Sequence, residues 1–400
     1  MATDTTDFLI IGGGVIGINL ALQAKRKFPD ASVTLLEKEK DCGEHASGRN
    51  SGVLHAGFYY TADSLKAKFT KEGCRILTEY CTERGLGINH CGKIVIAKND
   101  EELPVLDELL ARAEHNKVAL YEISEEECKE IEPRARFYKR ALFSPTTASV
   151  DPKEVMRSFV SDAKQAGIKM LADTRYLGFK DGVVSTSQGN ITAGYVINAA
   201  GLYADKIAQE FGFSENYRIL PFKGLYLYAD DEVPLKTNIY PVPDLRKPFL
   251  GVHHTTTVDG HTKIGPTAIP CFWREHYKGF QNFSLSEFIE IIARETSLFI
   301  GNDFGFRDLA FEEMQKIYRP KIIKLSSALA TGIKNEHYTR WGAPGIRAQL
   351  LDIKNRKLEM DFKTEGDDKS FHILNAVSPA FTCSIPFSEY TFDKICELIK

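Results

Sequence analysis

Residues 8–20 read FLIIGGGVIGINL, an apolar run that turns at glycines and continues with apolar residues at helical spacing. Gly12, Gly14 and Gly17 have the GxGxxG spacing of a dinucleotide-binding turn. The first glycine permits a tight turn, the second lets a pyrophosphate approach the backbone, and the third lets the helix pack closely on the strand. The stretch therefore predicts a strand, a phosphate-binding turn and a helix.

The following segment, SVTLLEKE, predicts a second strand that ends in an acid. Glu37 stands at its end, where a carboxylate accepts hydrogen bonds from a ribose 2′-hydroxyl. A glutamate at this position would repel a 2′-phosphate. The β-α-β pattern therefore indicates an adenine dinucleotide without a 2′-phosphate, either NAD or FAD.

A second stretch rich in small residues, HASGRNSGVLHAGFYY at residues 45–60, favours FAD. Glycine and serine let the main chain approach a bulky flat ligand. The segment YVINAAGLYADKIA, residues 195–208, ends another strand in Ala-Ala-Gly and offers a further close approach. An NAD enzyme remains the alternative, and a purified protein without flavin absorbance would favour it.

The composition, net charge and cysteine spacing exclude several classes of protein. The chain has 400 residues, 43% of them hydrophobic, and a formal net charge of −3, so it is an ordinary globular chain without the charge of a nucleic-acid-binding protein. Its eight cysteines show no CxxC spacing and its start is acidic. We therefore expect reduced thiols in a cytoplasmic protein without a signal peptide.

Eight motifs carry a resemblance to a known family: IIGGGVIG, ASGRNSGVLHAGFYY, VINAAGLYAD, PFKGLYL, FLGVHHT, KIGPTAI, GIRAQLLD and LNAVSPAFT. With them the chain resembles the D-amino-acid oxidase superfamily of flavoproteins and, more narrowly, the L-2-hydroxyglutarate dehydrogenase/oxidase family. The match is loose over residues 271–330. The resemblance implies an FAD cofactor.

The same resemblance implies an α/β fold, in which an FAD-binding Rossmann-like domain of the glutathione-reductase type carries an inserted antiparallel-sheet substrate domain. We expect the discontinuous FAD-binding domain over residues 1–87, 150–220 and 331–400. The substrate or cap domain is expected over residues 88–149 and 221–330.

The resemblance also assigns cofactor-binding residues along the whole chain. It places the pyrophosphate on the GxGxxG turn, the ribose on Glu37, the flavin chain on the serine-rich stretch and adenine on main-chain groups near Tyr176. A loop over residues 378–382 would close the far side with a helix N-terminus. The assigned residues are Gly12, Gly14, Gly17, Glu37, Lys38, Ser47, Asn50, Ser51, Gly52, Tyr176, Gly201, Ser378, Ala380 and Thr382.

Oxidation of a 2-hydroxy acid requires a base for the hydroxyl proton, and His55 is the first candidate. It follows the flavin-threading segment, and a histidine titrates near neutral pH. The alternative is a histidine that only hydrogen-bonds beneath the cofactor. His253 is the second candidate, whereas His254 should point to the opposite face of the strand and serve structure. We predict no metal site, because no third ligand stands at suitable spacing from this pair.

Arg347 is the candidate for the substrate α-carboxylate, because a guanidinium binds a carboxylate through two parallel hydrogen bonds. A surface arginine is the alternative. Lys223 and Tyr226 are candidates for a distal carboxylate, with Tyr60 as a further substrate-binding residue. Tyrosines that alternate along a strand also serve packing.

The predicted reaction is oxidation of L-2-hydroxyglutarate to 2-oxoglutarate, with electrons passed to a quinone or to O2. Alternatives are a related oxidase of glycerol-3-phosphate or a small amino acid, and a flavoprotein without catalysis. Residues 284–300, SLSEFIEIIARETSLFI, either contact a membrane surface from the cytoplasmic side or face the core of the second domain. The oligomeric state stays open.

Overall fold

The computed structural model describes residues 4–230, 234–245, 249 and 251–400. Its internal contacts divide the chain into two compact units. Unit 1 comprises Met1–Asn50, Pro152–Pro221 and Arg347–Lys400, and unit 2 comprises Ser51–Asp151 and Phe222–Ile346. Leu250 of the FLGVHHT motif, the first three residues and residues 231–233 and 246–248 of the predicted cap domain lie outside the described part.

The described residues form ten α-helices and twenty-three strands. The helices are α1 Val15–Lys27, α2 Leu65–Glu83, α3 Leu103–His115, α4 Glu125–Ile131, α5 Pro152–Gln165, α6 Ala204–Glu210, α7 Leu285–Gly301, α8 Phe306–Gln315, α9 Arg319–Ser327 and α10 Ala380–Leu398. The strands are β1 Asp4–Ile11, β2 Val33–Leu36, β3 Val53–Leu54, β4 Ile88–Asn89, β5 Lys93–Ile96, β6 Tyr121–Ile123, β7 Ala141–Ser144, β8 Ala148–Val150, β9 Lys169–Leu171, β10 Tyr176–Lys180, β11 Val183–Thr186, β12 Gly189–Asn198, β13 Tyr217–Gly224, β14 Leu227–Tyr228, β15 Asn238–Pro241, β16 His253–Thr256, β17 Thr262–Gly265, β18 Ile269–Pro270, β19 Arg340–Trp341, β20 Gly345–Asp352, β21 Lys357–Leu358, β22 Lys363–Gly366 and β23 Ser370–Asn375.

Unit 1 is built on an eight-stranded sheet. Six of its strands follow the order β10-β11-β12-β1-β2-β9. The other two are β23, which pairs with β12, and β22, which pairs with β23. Strand β12 runs parallel to both β1 and β23. Parallel strands end at the same edge of a sheet, so the turns that follow β1, β12 and β23 share one edge. These turns contain Gly12, Gly201 and Ser378.

The core of this sheet follows from its apolar runs. Leu9, Ile11, Leu36 and Val196 pack in one buried cluster, and α1 packs against α10. Strand β2 is buried along its whole length. Burial of both faces explains why β1 and β2 read as near-continuous apolar runs instead of alternating ones.

Unit 2 contains an eight-stranded sheet with the order β19-β14-β17-β16-β15-β5-β7-β6 and a three-stranded sheet with the order β3-β8-β4. In the larger sheet β5 and β15 are parallel, and the other six pairs of neighbouring strands in the described residues are antiparallel. This unit therefore has the largely antiparallel character expected of a substrate domain.

The boundaries of the units differ from the predicted domain boundaries. The prediction assigned residues 51–87 and 331–346 to the FAD-binding domain, whereas the contacts place both ranges in unit 2. Strand β3 pairs with β8, and β19 pairs with β14, so both segments belong to sheets of unit 2. These boundaries depend on pairing between strands that are far apart in the sequence, and the local sequence does not show which strands pair.

Candidate active site

The GxGxxG turn of unit 1 has the geometry that requires glycine. Gly12 has a φ of +112°, and a Cβ there would lie 2.5 Å from the carbonyl oxygen of Ala199. A Cβ on Gly17 would overlap the carbonyl oxygen of Gly12. The first and third glycines therefore let the turn close and let α1 pack against β1, as the spacing predicted.

The N-terminus of α1 is open to an anion. Its N-cap, Gly14, has no side chain, and the first turn holds no acidic residue. The Ser47 hydroxyl accepts a hydrogen bond from the Val15 N–H at 2.9 Å, and the remaining first-turn N–H groups have no partner within the helix. Such a terminus attracts the phosphates of a dinucleotide.

The N-terminus of α10 has the same character. Its N-cap, Pro379, offers no side-chain cap, and its first turn holds no acidic residue. Ala380 and Thr382, which the sequence placed in a loop, lie buried in the first turn of the helix, whereas Ser378 before it is exposed. Helix α10 thus begins at Ala380, within the range 378–382 that the sequence predicted as a loop.

Glu37 is a buried carboxylate whose two oxygens both accept backbone hydrogen bonds. Oε2 accepts from the Gly13 N–H and Oε1 from the Glu39 N–H, each at 2.9 Å. Burial, and then the charge of Glu37, raises the pKa of the Cys42 thiol to about 12. A Cβ on Gly13 would lie 2.8 Å from Glu37 Oε2. Gly13 was not singled out from the sequence, although its place between Gly12 and Gly14 was a signal.

Lys38 takes part in a local ion pair. Its Nζ lies 2.5 Å from Glu39 Oε1, and His45 Nε2 lies 3.0 Å from the same oxygen. Burial opposes the ionisation of Glu39, but the hydrogen bonds from Lys38 and His45 outweigh it and lower the pKa of Glu39 to about 2. The segment before Tyr176 lies alongside, since the Thr174 N–H donates to the carbonyl of Glu37 at 2.8 Å.

The remaining predicted cofactor residues fall in both units. In unit 1, Asn50 donates to the carbonyl of Ser47 at 2.7 Å, the Tyr176 hydroxyl donates to Glu210 at 2.7 Å, and Gly201 has a φ of +54°. Ser51 and Gly52 begin unit 2. The Gly52 carbonyl accepts from the Val150 N–H at 2.9 Å.

In unit 2 the two predicted catalytic histidines belong to one row of side chains. His55 Nδ1 lies 3.5 Å from Lys93 Nζ, and that Nζ lies 4.4 Å from the centre of the Tyr240 ring. The Tyr240 ring stacks on His253 with centroids 3.7 Å apart. We call these four residues, His55, Lys93, Tyr240 and His253, the His–Lys row.

Sheet register explains how the row forms. Strand β5 pairs with β15, placing Lys93 opposite Asn238 and Val95 opposite Tyr240. Strand β16 pairs with β15 so that Ile239 faces His254, which makes Tyr240 and His253 cross-strand neighbours. His55 comes directly after β3.

Lys93 was missed by the sequence reading, and it is the most deeply buried member of the row, with 0% exposure. Burial lowers the pKa of Lys93 to about 7, against an opposing effect of the thiols of Cys74 and Cys91. The sequence feature that could have indicated its burial is its position at the start of the otherwise apolar strand KIVI.

His253 and His254 point to opposite faces of β16, as strand alternation predicted. His253 Nδ1 lies 2.9 Å from the carbonyl oxygen of Gly251, and in the described part of the chain its Nε2 has no hydrogen-bond partner. His254 Nε2 lies 2.9 Å from the carbonyl of Ser326. Burial lowers the pKa of His253 to about 3 and that of His254 to about 4, so both rings are neutral at physiological pH.

The predicted substrate-binding residues lie on several elements. Arg347 lies on β20 in unit 1 and is half-buried. Lys223 lies near the end of β13, where burial lowers its pKa. We expected Lys223 and the alternating tyrosines Tyr226 and Tyr228 on one strand, but β13 ends at Gly224 and β14 begins at Leu227.

The aromatic substrate candidates each lie beneath a lysine. Lys263 Nζ lies 4.8 Å from the centre of the Tyr226 ring, and Lys66 Nζ lies 5.9 Å from that of Tyr60. Burial lowers the pKa of Lys263 to about 8. Lys263 was not among the predicted residues.

Helices α7 and α8 of unit 2 expose apolar side chains. One face of α7 is buried at Ile291 and Leu298. Other positions of α7 and its surroundings are exposed, including Phe280 at 84% and Ile300 at 72%. We call the exposed set the apolar surface; it consists of Phe280, Phe283, Leu285, Ile289, Ile300, Phe304, Phe311, Met314, Ile317 and Tyr318. Among the described residues no helix is long and apolar enough to cross a membrane.

Comparison with known proteins identifies a family and its relatives. The model of a family described as FAD dependent oxidoreductase (DAO) matches residues 7–351. The mitochondrial L-2-hydroxyglutarate dehydrogenase of Bos taurus is 35% identical over 425 residues, which cover 100% of this chain and 90% of that protein. The L-2-hydroxyglutarate dehydrogenase of Escherichia coli K12 is 32% identical over 400 residues, which cover 98% of this chain and 94% of that protein.

Solved structures support the fold. The dithionite-reduced L-α-glycerophosphate oxidase of Mycoplasma pneumoniae with FAD bound superposes with a TM-score of 0.78 at 20% identity, covering 98% of this chain and 95% of that one. The glycine oxidase of Geobacillus kaustophilus gives a TM-score of 0.73 at 18% identity, covering 99% and 95%.

Proposed function

Because the chain belongs to the FAD dependent oxidoreductase family (DAO), we propose that it oxidises L-2-hydroxyglutarate to 2-oxoglutarate with FAD as its cofactor. The observation that carries the substrate is identity of 32–37% along nearly the whole chain to relatives named L-2-hydroxyglutarate dehydrogenase. The structural neighbours that act on other substrates are at most 20% identical and support only the fold.

Unit 1 supplies the residues for FAD. The first-turn N–H groups of α1 suit the pyrophosphate, and its glycines leave room for the close approach. We assign the ribose to Glu37, whose bonds to backbone N–H groups hold the carboxylate in place. The open N-terminus of α10 favours negative charge on the cofactor.

Unit 2 supplies the base. FAD held by unit 1 would supply the two-electron acceptor for oxidation at the substrate Cα, and the substrate hydroxyl must lose a proton to a protein group. We assign that proton to His55 Nε2, because Nδ1 of the same ring is directed at Lys93. His253, neutral and with Nε2 unpartnered in the described residues, is a hydrogen-bonding partner for the substrate.

Cationic and phenolic groups bind the two carboxylates in this proposal. Arg347 holds the α-carboxylate, since a guanidinium fork fixes its orientation. Lys223, Tyr226 and Tyr60 are the candidates for the distal carboxylate. Glycerol-3-phosphate or a small amino acid is the alternative substrate, for which the named structural neighbours give only fold-level support.

The experiment is an anaerobic visible spectrum of the purified holoprotein. L-2-hydroxyglutarate, D-2-hydroxyglutarate, glycerol-3-phosphate and glycine are added separately. Bleaching of the flavin band by the L-hydroxy acid alone supports the proposal. Bleaching by glycerol-3-phosphate or glycine instead, or by none of the four, contradicts the proposed substrate.

We further propose that the apolar surface touches a lipid bilayer from the cytoplasmic side, where a quinone accepts the electrons. Isolated exposed apolar residues are ordinary, but these ten all lie on or next to α7 and α8. Two of their rings, those of Phe280 and Phe283, also contact each other. O2 is the alternative acceptor.

Flotation of the holoprotein with phospholipid vesicles tests the membrane proposal. The double variant Ile289→Ser/Ile300→Ser removes two exposed apolar side chains, each worth roughly 1.5–3 kcal/mol when buried. We expect its vesicle-bound fraction to fall at least about fivefold. Leu177→Ser, at an exposed position of unit 1, is the control. Absence of vesicle binding by the wild type contradicts the membrane contact and favours O2.

A further inference from the structure

Lys93 lies directly behind His55, away from solvent. His55 is 6% exposed and Lys93 is 0% exposed, so of these two side chains only the histidine reaches the surface. The 3.5 Å separation joins Lys93 Nζ to Nδ1 of His55, the ring nitrogen that the proposed reaction does not use. Lys93 therefore acts on the substrate only through His55.

The state of Lys93 decides which tautomer of His55 is available. An ammonium can only donate, so it would hold Nδ1 as the acceptor and place the imidazole proton on Nε2. A histidine whose Nε2 already carries a proton has no lone pair there to accept another, so it cannot act as a base at Nε2. A neutral amine can accept from Nδ1–H, which leaves the Nε2 lone pair available as a base.

We propose that Lys93 is a positioning residue that accepts the Nδ1 proton of His55 as Nε2 takes the hydroxyl proton of the substrate. The inference rests on the proposed function, because it assigns a partner to the base of that reaction. One proton moves from the substrate oxygen to Nε2, and another moves from Nδ1 to Nζ. The imidazole ends neutral, and the positive charge ends on Lys93.

The groups around Lys93 suit both of its states. The rings of Tyr240, Tyr59 and Phe58 lie 4.4, 5.2 and 5.5 Å from Nζ, and aromatic faces stabilise an ammonium. The described part of the chain gives Lys93 no carboxylate partner that would hold it charged.

The other titratable groups that face Lys93 come from several elements. They are the thiols of Cys74 on α2 and Cys91 before β5, the phenols of Tyr59 and Tyr240, and the imidazoles of His55 and His253. Burial lowers the pKa of Lys93 to about 7, so the lysine changes state at physiological pH. The two protons of the His55–Lys93 pair titrate together, and the observed midpoint belongs to the pair.

A spectroscopic test needs no substrate. In holoprotein labelled with ¹⁵N-histidine, His55 should change from the Nε2–H to the Nδ1–H tautomer as pH rises through about 7. The His55→Gln variant assigns the signal. In Lys93→Met the tautomer change should disappear. A tautomer that stays the same between pH 5.5 and 9, or that changes equally in Lys93→Met, overturns the inference.

A kinetic test uses the rate of flavin reduction by L-2-hydroxyglutarate across the same pH range. Lys93→Met should lower the limiting rate roughly 10–100-fold and move its pH midpoint, while KM changes less than about threefold. Lys93→Arg retains the charge but cannot deprotonate, so it should be slower than Lys93→Met. Lys98→Met, just beyond β5 and partly exposed, is the matched control and should keep the wild-type midpoint.

The outcomes separate the two proposals. A lysine that serves only structure or charge predicts the reverse order, with Lys93→Arg faster than Lys93→Met, and that order would overturn the inference. A wild-type flavin that L-2-hydroxyglutarate does not reduce contradicts the proposed function instead. In that case the tautomer measurement still decides whether Lys93 controls His55.

Discussion

The GxGxxG turn of unit 1 and the His–Lys row of unit 2 bury charge in opposite ways. In the turn, Glu37 accepts two backbone N–H groups, so its charge is satisfied by the local chain. In the row, Lys93 has aromatic rings and a histidine beside it, and burial lowers its pKa. A satisfied charge holds a turn in place, whereas a charge near its titration midpoint can exchange a proton.

The largest expected effect tests the sterics of the turn. Gly17→Ala would bring a Cβ onto the Gly12 carbonyl oxygen, and crowding of this kind displaces α1 from β1. We expect the variant to purify with almost no FAD, because the displaced helix no longer presents its N–H groups to the pyrophosphate; flavin absorbance per protein measures this. Gly178→Ala meets only an ordinary contact with Glu210 and is the control. Equal FAD content in the two variants would show that the turn tolerates a side chain.

The second effect tests the row. His55→Gln should lower the rate of flavin reduction by roughly 10²–10⁴-fold, because it removes the proposed base. The FAD content should stay at the wild-type level, since the turn lies elsewhere in the chain. His115→Gln replaces an exposed histidine on α3 and should keep the wild-type rate. A His55→Gln enzyme at a tenth of the wild-type rate or faster would contradict the assignment.

A smaller effect tests the satisfied charge. Glu37→Gln leaves one acceptor oxygen for two N–H donors, so one donor loses its partner. We expect the free energy of unfolding to fall by about 2 kcal/mol, the range for a hydrogen bond to a charged group. Urea denaturation measures it, with the exposed Glu389→Gln as control. An unchanged midpoint would mean that Glu37 serves the ribose and not the turn.

The last effect, of similar size, concerns the pH dependence of stability. Burial lowers the pKa of His254 to about 4, whereas an unfolded histidine titrates near pH 6.5. The unfolded chain therefore binds more protons below pH 6.5, and stability that is full above that pH is lost as pH falls toward 4.

At pH 5 this histidine alone accounts for about 2 kcal/mol. The loss of unfolding free energy between pH 7 and pH 5 should be smaller by that amount in His254→Gln. The variant His115→Gln, at an exposed position, should show the wild-type loss. If the wild type and both variants lose the same unfolding free energy between pH 7 and pH 5, His254 is exposed to solvent in the folded protein.

The parts predicted from sequence are the parts set by neighbouring residues. Gly12, Gly14, Gly17 and Glu37 lie within one β-α-β segment, and their spacing alone brings them together. The alternation of His253 and His254 followed in the same way from the period of a strand. Lys93 was not predicted, because the sequence around a lysine at the start of a strand does not show how deeply its side chain is buried.

Domain boundaries were predictable only in outline. The sequence indicated a discontinuous first domain, but residues 51–87 carry no local mark of the unit that they join. That choice depends on the pairing of β3 with β8, almost a hundred residues later. The start of α10 was also missed, since residues 380–382 were predicted to belong to a loop.

The sequence by itself determined the phosphate-binding turn, the acid that follows it and the family, because backbone sterics and residue spacing act over a few residues. Only the tertiary structure decided that His55, Lys93, Tyr240 and His253 form one row. These residues come from strands that are neighbours through sheet register, not through sequence. Burial within that sheet then lowers the pKa of Lys93, and no local pattern encodes burial.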